Sequence, residues 1–365
     1  MSEAVRQPIN QARLEAYLSK NLPEVTTPIH IKQFKFGQSN PTYQLMARSG
    51  IKYVLRKKPP GQLVSNTAHQ VKREYQVLHA LQNTDVPVPK VYCYCDDERV
   101  LGTPFYVMEY LDGRIMEDPG LSNLKSSERH EMWYDAFRSL SKLHRINVVD
   151  VGLQDFGKPS GFFDRQIKTL TTISQAQAKV QDEETKEIVG SIPHLHEMLS
   201  YFSDKVTQPR DRNTLIHGDF KIDNLVFHRT EPRVIGILDW EMSTLGHPLS
   251  DLVNLIAPYT FGNQISCKVL PSFTTDALLG LPSLEELIKY FTTLTGWDPT
   301  LDLMWGVAFG RFRTTVILQG IASRYLLGQA TSLQAQENAR ARHVLADITW
   351  EQILANKSIN IKSSL

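Results

Sequence analysis

The chain has 365 residues, with 40 basic and 39 acidic side chains, so it is long enough for two lobes and nearly neutral at a net charge of +1. This balance argues against a nucleic-acid-binding protein, which normally has a clear basic excess. No stretch approaches the ~18 uninterrupted apolar residues of a membrane span, and the opening segment lacks the apolar core of a signal peptide. We therefore expect a globular protein with neither a nucleic-acid partner nor a membrane span.

The cysteines indicate a reducing compartment, because three are too few and too odd in number for a disulfide framework. The cytoplasm is the expected location, with the peroxisome and the mitochondrion left open. Cys93 and Cys95 alternate with tyrosines as in a strand, and no second pair nearby completes a zinc site. The ending Ser363-Ser364-Leu365 resembles the peroxisomal address S-K-L but lacks its central basic residue.

The first third of the chain predicts a small β lobe. Short β-branched or aromatic segments, separated by turn residues, lie at 29–34, 42–47, 51–57, 90–95 and 103–111. Between the third and fourth segments, residues 69–81 space their apolar side chains as in a helix. We expect five strands and one helix in an N-terminal lobe of residues 1–109, and a C-terminal lobe of residues 110–365.

The C-terminal lobe has mainly helical patterns. A first helix should carry Trp133 and Phe137 on its buried face, with Ser127 as its N-cap. Further helical patterns cover 162–180, 183–207, 283–296, 302–327 and 333–356. Two short strands, at 225–228 and 234–240, interrupt them.

The strongest motif is HGDFKIDN at residues 217–224, which matches the catalytic-loop pattern H-x-D-x-x-x-x-N of kinases position for position. Such a loop aims Asp219 at a substrate hydroxyl while Asn224 turns back toward a magnesium ion beside the phosphates. Lys221 lies between them, where a cation can neutralise charge on the moving phosphoryl group. An Asx-type turn with surface charges is the alternative interpretation.

A second element lies twenty residues after Asp219, where Asp239 ends an apolar strand in the sequence ILDWE. A kinase carries its D-F-G aspartate at this point, and the triphosphate needs a second magnesium ligand there. The aspartate could instead cap the turn that follows. The loop motif just upstream favours the metal-binding interpretation.

Together, HGD-x4-N, ILDWE and GHPLSDL resemble the aminoglycoside phosphotransferase and choline kinase branch of the protein-kinase-like fold. With YVLRKKPPG, REYQVL and FYVMEYLDG, the chain most resembles the kinase-like domain that precedes the dehydrogenase in certain acyl-CoA dehydrogenase fusion proteins. The resemblance runs over about residues 30–330. It implies an α+β bilobal fold, with a small five-stranded antiparallel lobe and a larger helical lobe, and ATP-dependent phosphorylation of a small-molecule hydroxyl.

The resemblance also implies roles for single residues of the larger lobe. Asp219 would be the catalytic base, assisted by Lys221, and Asn224 and Asp239 would hold Mg²⁺. Support of the catalytic loop would come from His217 and from Asp251 in the segment PLSDL. For Asp251 the alternative is a favourable charge at a helix N-terminus.

On the nucleotide side, the family hinge that meets the adenine edge corresponds to Glu109, Tyr110 and Leu111, although a plain edge strand would look similar. The segment FGQSNPTY at 36–43 has one glycine instead of a glycine-rich phosphate loop. Ser39 and Asn40 could supply hydroxyl or backbone donors to the phosphates. Asn-Pro is also simply a good turn.

The strand lysine of the family is replaced here, since YVLR places Arg56 where V-A-I-K has its lysine. Glu74 on the following helix is its natural partner, and both would belong to the ATP site. Arginine binds phosphate bidentately but is planar and bulkier than lysine. Lys57 should point to the opposite strand face, and Lys58 remains an alternative. A surface ion pair between Arg56 and Glu74 is the other interpretation.

The acceptor side resembles two helices of the fusion-type domains, at 162–170 and 310–324. Cations directed inward from both would suit an anionic acceptor such as a coenzyme A thioester, whereas a solvated basic face is equally compatible with the pattern. The residues predicted to contact the acceptor are Arg165, Arg311, Gln319 and Arg324.

The leading hypothesis is a phosphotransferase that uses ATP and Mg²⁺ to phosphorylate a hydroxylated small molecule, for which the fusion relatives suggest a hydroxyacyl-CoA or a related acyl metabolite. The alternative is a nucleotide-binding, kinase-like scaffold without transfer activity, motivated by Arg56 and the glycine-poor loop. An antibiotic-resistance enzyme is disfavoured, because cationic aminoglycosides need an acidic cleft and this acceptor segment carries arginines.

Overall fold

The structure is a computed structural model that describes residues 9–34, 40–59, 71–261, 273, 280–329 and 333–363. The N-terminal part runs α1 Gln11–Asn21, β1 His30–Gln33, β2 Thr42–Met46, β3 Lys52–Lys57, α2 Val71–Leu81, β4 Val91–Cys95, α3 Glu98–Leu101 and β5 Phe105–Glu109. The C-terminal part runs β6 Gly113–Ile115, α4 Ser126–His144, α5 Phe162–Ala178, α6 Leu195–Ser203, β7 Thr214–Ile216, β8 Leu225–His228, β9 Val234–Ile237, β10 Thr244–Gly246, α7 Leu249–Thr260, α8 Leu284–Thr295, α9 Thr300–Leu326 and α10 Leu333–Ser363.

The five predicted strands form one antiparallel sheet in the order β1-β2-β3-β5-β4. Side chains alternate between the two faces. Val54 and Tyr106 belong to the apolar cluster that includes α2, and Arg56 projects from this same face toward that helix. Lys57 points to the other face, as predicted, where its Nζ donates to the Leu101 carbonyl at 3.1 Å.

Helix α1 covers the opposite face of the sheet and was not predicted. The side chain of Asn10 caps it by accepting from the Arg13 amide at 3.1 Å. Leu14 and Leu18, one turn apart, are both fully buried in the cluster of that face. The cap and this spacing are the sequence signals that could have indicated the helix.

The C-terminal lobe packs its helices around one large apolar core that also reaches α2 and the sheet. Two small sheets, β6-β8-β9 and β10-β7, lie within this lobe. They hold the ends of the predicted catalytic loop, since β7 leads into it and β8 leaves it. Within the residues that the structure describes, no helix is both long and apolar enough to cross a membrane.

Two local predictions are wrong. The predicted helix over 183–207 forms only at Leu195–Ser203, because Asp182 accepts from the amides of Glu184 and Thr185 at 2.9 and 2.6 Å and so closes a turn that competes with helix. Ser127 is not the N-cap of α4, which begins at Ser126 without a side-chain cap. The lobe boundary near residue 109 stays a prediction.

Candidate active site

The predicted catalytic loop, residues 217–224, is fixed by apolar anchors on both sides. β7 pairs with β10, and β8 pairs with β9 and β6. Within the loop, Phe220 and Ile222 are buried, and a short 3-10 turn at Ile222–Asn224 closes it. The buried flanks therefore hold a polar loop in one conformation.

Asp251 binds the start of this loop from α7. Its carboxylate accepts from the His217 amide and from the Gly218 amide, each at 2.7 Å, and lies 3.3 Å from His144 Nε2. Burial alone would raise the pKa of Asp251, but His144 and the backbone donors lower it below its ordinary value. Asp251 therefore stays ionised and has the contacts that a brace of the loop requires.

The His217 ring connects the loop to the segment that carries Asp239. Its Nδ1 accepts from the Asp219 amide at 3.2 Å, which leaves the proton on Nε2 to donate to the Leu238 carbonyl at 2.8 Å. The Leu238 amide in turn donates to the Asn224 carbonyl at 2.8 Å. These three bonds hold the loop of Asp219 and Asn224 against the backbone just before Asp239. That the three side chains meet around a metal ion stays a prediction.

At the centre of the loop, Asn224 Nδ2 donates to the Asp219 carbonyl at 2.8 Å and to its carboxylate at 3.1 Å. Lys221 Nζ lies 3.4 Å from the carboxylates of both Asp219 and Asp223. Burial would lower the pKa of Lys221, but these two carboxylates raise it above its ordinary value. Lys221 is therefore a cation next to Asp219, and Asp223 is a contact that the sequence analysis did not identify.

Asp239 follows β9 with a φ of +67°, in the left-handed region. Its side chain makes no capping hydrogen bond to the described turn that follows, so the capping interpretation is wrong. One carboxylate oxygen instead accepts from Arg56 Nη2 at 2.7 Å. The side chain is 36% exposed, which leaves it accessible to solvent and to a ligand.

Arg56 and Glu74 form a buried pair, with Arg56 Nε 2.9 Å from Glu74 Oε2 and side chains only 12% and 1% exposed. The interpretation as a surface ion pair is therefore wrong. Tyr106 donates to Glu74 at 2.9 Å, and Asn40 Nδ2 donates to Glu74 at 2.8 Å and to Glu241 at 3.3 Å. Burial raises the pKa of Glu74 to about 7, against the lowering effects of Arg56 and Tyr106.

The predicted hinge joins β5 to β6. The Glu109 amide donates to the Lys90 carbonyl at 2.7 Å, and the Leu111 carbonyl accepts from the Gly113 amide at 3.1 Å. That Glu109, Tyr110 and Leu111 meet the adenine edge stays a prediction. The predicted phosphate-loop residue Ser39 lies outside the described residues.

A cleft of about 550 Å³, including its open mouth, lies beside the catalytic loop and between α5, α7 and α9. Its walls are mainly apolar, from Phe162, Phe163, Ile216, Met242, Leu249, Val253 and Phe309. Its polar lining comes from Gln166, Thr244, Ser250, Asn254 and Arg313, and Gly218 brings the catalytic loop to its edge. No carboxylate lines it among the described residues.

The predicted acceptor residues Arg165 and Arg311 do not line this cleft. Arg165 is partly exposed and donates to the carbonyls of Ser160 and Lys158, in the turn before α5. Arg311 donates to Gln352 of α10 at 2.6 Å and to the Thr260 carbonyl. The prediction that they face the acceptor is therefore wrong.

Gln319 and Arg324 are also placed elsewhere. Gln319 is fully buried, where it accepts from Ser174 at 2.8 Å and donates to the Gly190 carbonyl at 2.9 Å. Arg324 is exposed at the end of α9. The first is a link between helices and the second a surface charge.

Arg313, on the same helix but not among the predicted acceptor residues, does line the cleft. It follows Gly306 and Gly310 at helical spacing, and a Cβ at Gly310 would lie 2.6 Å from Val253 Cγ1. These glycines mark the face of α9 that packs closely on α7. The helical face that these glycines define includes Arg313 and excludes Arg311.

The residues present fit a magnesium ion. Asn224 uses its amide nitrogen for Asp219, so its carbonyl oxygen is directed away from that bond, and Asp239 supplies an accessible carboxylate. Hard oxygen ligands of this kind, completed by phosphate oxygens and water, are what Mg²⁺ prefers. No group of three or more His, Cys, Asp or Glu side chains in the described part of the chain forms a separate metal site.

The five-stranded sheet with α2, the helical lobe and the loop between them define a kinase-like phosphotransferase fold, which confirms the predicted fold class. Residues 30–287 match the model of the APH phosphotransferase enzyme family. The chain belongs to this family.

Sequence relatives include two acyl-CoA dehydrogenase family proteins. The chain is 37% identical over 353 residues to family member 11 of Gallus gallus, with 95% of the chain and 44% of the relative covered. It is 36% identical over 346 residues to family member 10 of Mus musculus, with 94% and 31% covered. The chain therefore spans less than half the length of these relatives.

Among solved structures, a Ralstonia eutropha protein assigned to the aminoglycoside phosphotransferases is 34% identical, with a TM-score of 0.80 and coverage of 95% of this chain and 99% of that one. The ternary complex of APH(2'')-IIa with streptomycin and ATP is 16% identical, with a TM-score of 0.58 and coverage of 89% and 96%. The second likeness concerns the fold alone.

Proposed function

We propose that this chain is a kinase that transfers the γ-phosphoryl group of ATP, with Mg²⁺, to a hydroxyl of a small molecule. The observation that carries the proposal is that hydrogen bonds of Asn224 and His217 hold Asp219 and Asn224 together and join their loop to Leu238, next to Asp239. The same loop reaches the cleft at Gly218. The family of the chain and the ATP complex of a protein with this fold support it.

In the proposed reaction, the acceptor hydroxyl oxygen bonds to the γ-phosphorus, its proton passes to the Asp219 carboxylate, and ADP leaves. Asn224 and Asp239 would hold Mg²⁺, which supplies charge neutralisation at the phosphates when bound. Lys221 adds a fixed cation beside the attacking oxygen. Arg56, held by Glu74, would bind phosphate oxygens bidentately. Catalysis would then consist mainly of positioning and electrostatic stabilisation.

The cleft indicates the kind of acceptor. Apolar walls and one arginine suit a neutral or anionic molecule with an apolar portion, and they do not suit a polycationic aminoglycoside. The names of the sequence relatives add a link to acyl-CoA chemistry. We propose a hydroxylated acyl group, such as a hydroxyacyl-CoA, as the acceptor.

A kinase-like scaffold without transfer is the second candidate. It is favoured by the 2.7 Å contact of Arg56 with Asp239, because a magnesium ion would have to compete with this contact. Thermal unfolding with ATP, in the presence and absence of Mg²⁺, first tests whether the nucleotide binds. A stabilisation that requires Mg²⁺ is expected for the kinase and also for a scaffold that binds the nucleotide, so ADP production decides between them. The absence of any shift contradicts the kinase.

The kinase proposal is tested by ADP production with a panel of hydroxylated metabolites that includes hydroxyacyl-CoAs. Asp219→Asn should lower kcat about 10³-fold, while the ATP-dependent thermal shift should be retained because the proposed nucleotide contacts, Arg56 and residues 109–111, do not include the Asp219 side chain. Asp223→Asn, which removes the other carboxylate next to Lys221, is the matched control with a smaller loss. A native rate for Asp219→Asn would show that Asp219 is not the base.

A further inference from the structure

Gly218 needs external support, because its own backbone cannot fix the direction of Asp219. It has a φ of +88°, and a Cβ at this position would lie 2.6 Å from the Met242 carbonyl oxygen. Glycine is therefore required here, yet glycine is also the residue with the most backbone freedom. The peptide between Gly218 and Asp219 must be held by hydrogen bonds from outside the loop.

Hydrogen bonds hold both the amide and the carbonyl of Gly218. Its amide donates to Asp251 at 2.7 Å. Its carbonyl accepts from Asn254 Nδ2 at 3.2 Å and from Arg313 Nη2 at 3.0 Å, and Arg313 Nη1 donates to Asn254 Oδ1 at 3.1 Å. Arg313 and Asn254 therefore form one unit, called the clamp below, that orients the Gly218 carbonyl just before Asp219.

We propose that Arg313 is a positioning residue, which fixes the direction of Asp219 through the Gly218 carbonyl. This inference rests on the proposed function for its effect on turnover, but its structural part does not depend on it. A bond from a cationic donor is stronger than one from a neutral amide, so Arg313 contributes more to the clamp than Asn254 does. An error of about 1 Å in the position of a catalytic group is enough to lower the rate about 100-fold.

The location of Arg313 gives this clamp a second consequence. Arg313 lines the cleft as well as binding the loop, so the residue that shapes the proposed acceptor site is also the one that orients the proposed base. Arg311, only two positions earlier on α9, turns away to α10 and provides a natural comparison.

The first measurement is amide hydrogen exchange of the segment 215–227 in Arg313→Met, Arg313→Lys and Arg311→Met, with the buried part of α4 as an internal reference. Loss of the clamp should raise exchange of the loop about tenfold or more in Arg313→Met, without a matching rise in α4. Arg313→Lys should be intermediate, since lysine can reach one acceptor but lacks the planar two-nitrogen fork. Arg311→Met should leave the difference between loop and α4 unchanged.

The second measurement is hydrolysis of MgATP without added acceptor, which removes any effect of Arg313 on acceptor binding. For Arg313→Met we expect kcat to fall 10- to 100-fold with the KM for ATP unchanged, and Arg313→Lys to recover part of the loss. Native loop exchange in Arg313→Met, or an equal rise in loop and α4, would overturn the positioning role. Selective loop exchange in a protein whose wild type produces no ADP from MgATP, either alone or with any acceptor of the panel, would refute the proposed function and still support the clamp.

Discussion

The predicted catalytic segment, residues 214–251, and helix α9 both carry charged side chains into the C-terminal lobe. The hydrogen-bond partners of these side chains lie in different places. In the segment, most partners are local, as when Asp251 binds the His217 and Gly218 amides. In α9, Arg311 and Arg313 bind opposite neighbours, α10 and the catalytic loop. A change within the segment should therefore always affect the site, whereas the effect of a change in α9 depends on the helical face.

The largest effect should come from breaking the hydrogen bonds by which Asp251 holds the segment. Asp251 is fully buried, and Asp251→Asn replaces one acceptor oxygen by a donor that faces a backbone amide or His144. We expect a loss of about 3–5 kcal/mol in the free energy of unfolding, as for other broken buried charge pairs. Urea unfolding measures it.

Asp155→Asn is the control for this prediction, since Asp155 is exposed and its change should stay within about 0.5 kcal/mol. A loss below about 1 kcal/mol for Asp251→Asn would mean that the segment is not held by this network.

The pH dependence of stability tests the same segment at His247. Its ring is neutral and buried, with Nδ1 accepting from the Leu249 amide at 3.1 Å and Nε2 donating to the Arg210 carbonyl at 3.1 Å. Burial lowers its pKa from 6.5 to about 4. Because the unfolded chain then binds the proton more tightly, stability is lost as the pH falls from about 6.5 toward 4, by up to about 3 kcal/mol.

The measurement is the free energy of unfolding at pH 7 and pH 4.5 for the wild type and His247→Gln. The wild type should lose more stability than the variant over this interval, and the difference reports His247 alone. His79→Gln is the control, since His79 lies exposed on α2 and should keep the wild-type profile. Equal pH profiles for wild type and His247→Gln would show that the ring is not buried in its neutral form.

The contrast between the two regions also explains which features could be predicted from the sequence. The spacing of Asp219 and Asn224 is set within one loop, so their proximity follows from the motif. Arg56 could be placed because strand alternation separates it from Lys57. In each case a short-range geometric rule was sufficient.

The missed features depend on distant partners. Whether Arg311 or Arg313 faces the cleft is decided by how closely α9 packs on α7, which the glycines at 306 and 310 permit. The stability of helix α1 comes from packing on the sheet, which local propensity does not contain. Within the sequence, the helix is signalled by the Asn10 cap and by the spacing of Leu14 and Leu18. The contact between Asn40 and Glu241 joins positions 201 residues apart.

The smallest expected effect sharpens the contrast between the two faces of α9. Arg311→Met leaves the Thr260 carbonyl and the Gln352 side chain without their donor and removes the stacking of the guanidinium on Phe261, 5.6 Å from the ring centre. We expect a loss of about 1–2 kcal/mol in the free energy of unfolding, with kcat unchanged. Arg324→Gln, at an exposed position of the same helix, should stay within about 0.5 kcal/mol.

Thermal and urea unfolding, together with MgATP turnover, check this pair of variants. The informative comparison is between the change in stability and the change in kcat of Arg311→Met. Arg311 connects α9 to α10, so its loss should change stability without changing the position of Asp219. A fall in kcat for Arg311→Met at native stability would place both arginines in one functional unit. The two faces of α9 would then not be independent, since packing against α10 would be transmitted to Asp219.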